Sequence, residues 1–242
     1  MEHLSMNMPG NDRKVGVMQP YFFPYIGYYQ LVHAVDTFVF YDDVNYINRG
    51  WINRNRILIN GQPSYLTVSL QGASQNRQIR DIALADNRPQ LLRSIEHTYQ
   101  KAPFYAEAMV PIREVLTRPV EHIGELAMHS VTAVFEYLGV VREFLVSSER
   151  FAETKGLPRA ERLIAITKAC GSQHYINAAG GAELYAKDHF LQHDVQLQFL
   201  RPILLPYTQF GGEFVPGLSM IDVLMFNSRE ECLSRLAQYH LE

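Results

Sequence analysis

The stretch from Val15 to Arg56, VGVMQPYFFPYIGYYQLVHAVDTFVFYDDVNYINRGWINRNR, constrains this chain more than any other part of it. An apolar run from Val15 to Met18 stops at Gln19 and Pro20, and an aromatic loop follows. Gly27 to Val35 then carries apolar residues at helical spacing, and a second apolar run, Thr37 to Tyr41, ends in Asp42 and Asp43. The order is strand, loop, helix, strand. Two strands joined by a helix of this length pair in parallel, which sets Gln19 and the aspartate pair at the carboxyl edge of one sheet. Open parallel sheets take their ligands at that edge. The expected class is α/β, with a Rossmann-like, mainly parallel sheet.

The rest of the chain fits around this unit. Ile57 to Asn60 and Ser64 to Leu70 are β-prone, and the Asn60-Gly61 pair between them signals a hairpin that flanks the sheet. Residues 88 to 138 turn helical: Leu91, Leu92 and Ile95, then Phe104, Ala108, Ile112 and Val115, then Ile123, Leu126, Val131, Val134 and Phe135. Three helices broken at Pro103 and Pro119 are expected there, as a helical insertion. Strands follow at Arg142 to Val146, His174 to Asn177 and Val195 to Leu200, with helices at Arg159 to Ala169 and Leu184 to His193. A last helix is expected after Gly217, with Ser219 as N-cap and Asp222 closing a capping box. Residues 1 to 13 read as a disordered leader, and residues 14 to 242 as a single α/β domain.

With 22 basic against 25 acidic residues and a pI near 6.3, no global field draws the chain to nucleic acid or an anionic membrane, so neither is an expected partner. No apolar run reaches membrane-helix length and the start has no signal-peptide core, so a cytoplasmic protein is expected. Cys170 and Cys232 make no metal or redox spacing and read as reduced, buried thiols. The nine histidines are read as offering no zinc-ligand spacing, and no motif names a cofactor.

The candidate catalytic residues are Asp42, Asp43 and Gln19. A carboxylate at this edge can act as a general base, bind a ligand amine or hold a metal, while an ordinary loop Asp would cap the next backbone amides. Arg49, Arg54 and Arg56, interleaved with Asn53, Asn55 and the single Trp51, suit an anion such as phosphate; a solvated strand face is the duller reading. On an extended strand Arg54 and Arg56 face one way while Asn53 and Asn55 face the other. Tyr21 and Tyr25 are candidates to wall a pocket or to join the core. Gly180 and Gly181 allow close backbone approach to a ligand at a strand-to-helix turn, with Tyr185 beside them.

Four segments, MQPYFFPYIGYYQL, YDDVNYINRGWINRNRI, YINAAGGAELY and FVPGLSMIDVLM, together resemble the WbqC-like protein family. Its members occur in O-antigen and other surface-polysaccharide gene clusters and in some natural-product clusters. The resemblance implies a biosynthetic role and does not itself settle a reaction; joined to a carboxylate placed to receive an amine and an arginine group suited to phosphate, it favours a transferase moving an acyl or aminoacyl group from an activated carrier onto an amine, such as that of an amino sugar. Its partners would be the small-molecule amine and a carrier protein. A looser likeness, to nucleotidyltransferases of the HUP superfamily, implies a nucleotide-dependent ligase or nucleotidyltransferase instead. The position of their His-x-Gly-His motif here reads Tyr25, Ile26, Gly27, Tyr28, without histidine. A protein that holds a nucleotide sugar without reacting is the third reading.

Overall fold

In a computed structural model, which describes residues 13–242, a six-stranded sheet runs through the molecule. The expected leader, apart from Arg13, lies outside the described residues. The sheet comprises β1 (Lys14–Met18), β2 (Thr37–Phe40), β7 (Glu143–Val146), β8 (His174–Ala178), β9 (Gln196–Pro202) and β10 (Tyr239–Leu241), where β3 to β6 lie outside it. Its order is β10-β9-β8-β1-β2-β7, parallel throughout except for β10, which pairs antiparallel to β9. The fold is mixed α/β with a mostly parallel central sheet. Chain order reverses at β1, so β2 and β7 lie on one side of it and β8 and β9 on the other.

Alternation along β1 divides the core in two. Val15 and Val17 join Val39, Tyr175 and Leu197 in a cluster closed by Leu163 and Ile166 of α6 (Arg159–Ala169) and by Phe190 of α7 (Lys187–Leu191). The opposite face, with Phe38, Phe40 and Ile176, carries α1 (Ile26–His33), the helices α2 (Arg88–Tyr99), α3 (Tyr105–Thr117) and α4 (Ile123–Leu138), and Leu236 of α9 (Arg229–Leu236). The three helices expected between residues 88 and 138 are present, and they share this larger core with the sheet.

The hairpin is β3 (Arg54–Ile59) and β4 (Gln62–Thr67), joined by Asn60 at φ 51° and Gly61 at φ 74°. Two left-handed residues give the turn whose twist suits a two-residue hairpin. It forms its own two-stranded sheet, as does the short pair β5 (Leu70–Gln71) and β6 (Ala83–Leu84).

The C-terminal region differs from expectation. Ser219 does cap α8 (Met220–Phe226) by accepting from the Ile221 N–H, but Asp222 closes no capping box. It is fully buried and accepts from the hydroxyls of Tyr99 at 2.8 Å and Tyr207 at 2.6 Å and from Gln209 at 2.8 Å. Burial raises its pKa against those three donors. The capping box belongs instead to Ser228 and Glu231, which start α9 after a break at Asn227. The expected helix from 184 to 193 shrinks to α7, preceded by a 3-10 turn, Ala179–Glu183. No helix among the described residues is long and apolar enough to cross a membrane.

Gly16 faces the larger core, where an added Cβ would sit 3.3 Å from Phe38 and 3.4 Å from Val35. Both neighbours are buried and have nowhere to move. Gly16→Val should overpack this face and lower stability by about 1–3 kcal/mol, read as a fall in urea midpoint at unchanged slope.

Candidate functional site

The chain leaves β1 at Met18 and crosses residues 19–25 before α1 begins. Phe22 and Phe23 of this loop are wholly buried, and Phe23 takes φ 36°, a left-handed value uncommon for a bulky side chain. Three side chains hold it there. Ser130 on α4 accepts from the Phe23 N–H at 2.8 Å; Asn55 on β3 and Ser219 before α8 donate to its carbonyl at 2.9 and 2.7 Å. Strained backbone survives only where its surroundings over-determine it, and such positions cluster at functional sites.

Burying Phe22 and Phe23 leaves Gln19, Tyr21 and Tyr25 half-exposed around the end of β1. The Gln19 backbone carbonyl accepts from the Tyr28 hydroxyl at 2.9 Å, while its side-chain amide has no protein partner among the described residues. Burial raises the pKa of both Tyr21 and Tyr25, so each stays a neutral hydroxyl at physiological pH. The Tyr25 ring lies against Gly27: an added Cβ would stand 2.4 Å from Tyr25 Cε2. The glycine lets a phenol cover the first turn of α1.

Asp42 and Asp43 follow β2 and are almost wholly buried. Asp43 pairs with Arg162 of α6 at 2.6 Å and receives the Ser147 hydroxyl at 2.5 Å. Asp42 receives the Ser148 N–H at 3.0 Å and the Ser148 hydroxyl at 2.7 Å, at the start of the short helix α5 (Ser147–Arg150). These contacts do not include Gln19, Arg49, Arg54 or Arg56. Burial pushes the Asp43 carboxyl upward, but the hydrogen bonds from Arg162 and Ser147 and the guanidinium charge outweigh it and hold the pKa below 3.8. A carboxylate so held is an anchor and a poor base at neutral pH. What it anchors is Arg162, whose Nε donates to Thr154 at 3.0 Å and whose guanidinium lies 4.7 Å over the ring of half-buried Tyr41.

The hairpin divides its residues as strand alternation requires. Asn53 is buried, donating to the Val68 carbonyl and accepting from Tyr46, both at 2.8 Å; Asn55 holds Phe23 and accepts from the Arg56 N–H. Both amides are engaged by the protein itself. On the other face Arg54 lies over Tyr65 at 4.3 Å and Arg56 over Trp51 at 5.9 Å. Arg49 is exposed at φ 58°, and its carbonyl accepts from Arg54.

After β8, Gly181 lies against Asn177, where a Cβ would meet Nδ2 at 2.5 Å, while Gly180 is exposed and half-buried Tyr185 packs edge-on to Phe190. The histidine expectation needs a correction. His189 and His193 stand four residues apart with ring centroids at 5.0 Å, a spacing that can ligate metal. His189 lies 3.3 Å from Glu161, yet no group of three potential ligands comes together among the described residues. Cys170 and Cys232 are free, and burial pushes their thiols up to about 11 and about 12, so both are unreactive.

The family model of the WbqC-like protein family matches residues 19–233, from the first residue of the strained loop to α9. The chain belongs to that family. This WbqC-like chain is also 27% identical over 222 residues to a protein of Mycobacterium tuberculosis (strain ATCC 25618 / H37Rv) named uncharacterized protein Rv1507c. That match covers 89% of this chain and 94% of the relative. No solved structure matches.

Arg162 carries a clear signal that the motif reading passed over. It shares the apolar face of α6 with Leu163 and Ile166, and an arginine there demands a buried carboxylate. Because the Asp43 pKa is depressed on folding, its contribution to stability is complete above the unfolded value near 3.8 and disappears as pH falls through the folded value. Asp43→Asn should therefore cost about 3–5 kcal/mol at pH 7 by stranding Arg162, and less on acidification, in urea titrations at both pH values. An equal loss at pH 7 and pH 3 would show that the ion pair adds nothing.

Proposed function

We propose that this WbqC-like protein is a transferase of surface-polysaccharide or natural-product assembly, moving an acyl or aminoacyl group from a carrier thioester onto an amine. The reversal of strand order at β1 supports a Rossmann-like reading of the sheet, with the ligand crevice at the carboxyl ends of β1 and β8. Gln19 and Tyr21 follow β1 there, and Gly180, Gly181 and Tyr185 follow β8.

The observation that carries group transfer over nucleotidyl transfer is the Tyr25 ring lying on Gly27. A helix start that binds phosphate offers its free amides to the anion. Here a neutral phenol covers the first turn. In the transfer, the amine nitrogen attacks the thioester carbonyl, the C–S bond breaks, an amide C–N bond forms and the amine proton ends on the released thiol. Gln19, whose amide has no protein partner among the described residues, and the Tyr21 hydroxyl would hold that carbonyl. Asp43 serves as a positioning residue, fixing Arg162 over Tyr41, and Asp42 fixes the start of α5.

With an acyl carrier thioester and an amino sugar, purified protein should yield amide and free thiol in equal amounts, followed by mass spectrometry and thiol titration. Formation of pyrophosphate or AMP from ATP, with no thiol released, would replace this reading with a ligase.

A further inference from the structure

The outer face of the β3–β4 hairpin combines features that a bare structural strand does not need. Trp51 is 38% exposed and Tyr65 55%, with ring centroids 6.4 Å apart and planes tilted by 35°. Arg54 and Arg56 lie against these rings, and carbonyls of Arg49, Gly50 and Gly217 orient their guanidinium groups without neutralising them. The Arg56 Nε is buried without a partner among the described residues. Among the described residues, no carboxylate lies within ion-pair distance of Arg49, Arg54 or Arg56, although the chain carries a net charge of −3. Three arginines with no carboxylate beside them among the described residues call for an anion, and two partly exposed aromatic rings, each already carrying a guanidinium, call for a flat ring stacked alongside.

We propose that this face binds a nucleoside diphosphate-linked ligand, its base on Trp51 and Tyr65 and its phosphates on Arg54, Arg56 and Arg49. The acidic overall charge disfavours a polynucleotide and leaves a single nucleotide as the occupant. The platform is joined to the loop after β1: the Trp51 carbonyl accepts from the Phe22 N–H at 3.2 Å, and the Arg56 carbonyl from the Ser219 N–H at 2.8 Å. The proposal rests on the transferase reading for the ligand's role, as the form in which the amino sugar arrives; the binding itself is measured without turnover.

Trp51 is the only tryptophan, so emission excited selectively at tryptophan, beyond the absorption of the 14 tyrosines, reports this face alone. UDP, dTDP, ADP and GDP are titrated against inorganic pyrophosphate and uridine, with calorimetry on the same samples. At least one diphosphate should change the emission saturably and bind at least tenfold tighter than pyrophosphate or uridine. Arg54→Lys and Arg56→Lys should each weaken it about tenfold at unchanged melting temperature, since lysine keeps the charge and loses the planar fork. Tyr65→Ala should weaken the nucleotide and leave pyrophosphate unaffected. Pyrophosphate binding as tightly as every nucleotide, saturation by none of them, or affinity unchanged in both lysine variants would each overturn the proposal. Nucleotide binding without amide formation would leave it standing and remove the acyl-transfer reading instead.

Discussion

The site depends on the backbone of Phe23. A bulky residue at φ 36° does not hold that conformation unaided, and here α4, β3 and the segment before α8 each supply one buried hydrogen bond to it. These elements come from distant parts of the chain, so the loop between β1 and α1 takes its shape only once the fold is complete. With two phenylalanines pinned inside, the polar residues beside them are left at the edge of the central strand. The same bonds tie the hairpin to the loop, which places the arginine and aromatic face next to it.

The flank beyond β2 is built on charge. Asp43 and Arg162 neutralise each other in the interior, with side chains 1% and 5% exposed, and such a pair survives because Ser147 and Thr154 take up its remaining hydrogen-bonding capacity. The pair holds its guanidinium 4.7 Å over the ring of Tyr41. Asp222 is the contrasting case, a buried carboxylate with three neutral donors and no ion-pair partner among the described residues, which ties the segment carrying Tyr207 and Gln209 to α2 and α8.

Periodicity made β1, β2, β7, β8, β9, α1, α6 and the three helices between residues 88 and 138 legible, because apolar spacing records a buried face, whereas the short strands β5, β6 and β10 carry too few residues to show one. The hairpin was legible at Asn60 and Gly61, whose side chains suit the left-handed turn. Partners across the chain were not legible. The sequence places Asp43 at a strand end, but nothing local says that an arginine on α6 will reach it. The amides of Asn53 and Asn55 look ligand-like in sequence and serve backbone groups in the fold, since a polar side chain does not reveal which buried carbonyl needs it. Asp222 sits where a capping box would put it, and only packing against Tyr99 and Tyr207 turns it inward.

We infer that the loop held at Phe23 presents the reacting surface through Gln19. Its most direct test is the turnover of Gln19→Ala in the thioester and amine assay, with the melting temperature measured on the same preparation. The side-chain amide bonds nothing among the described residues, so the melting temperature should stay as it is while turnover falls by about 100-fold, the effect of removing one carbonyl-polarising donor. Unchanged turnover in a folded variant would contradict the account and move the chemistry away from the end of β1.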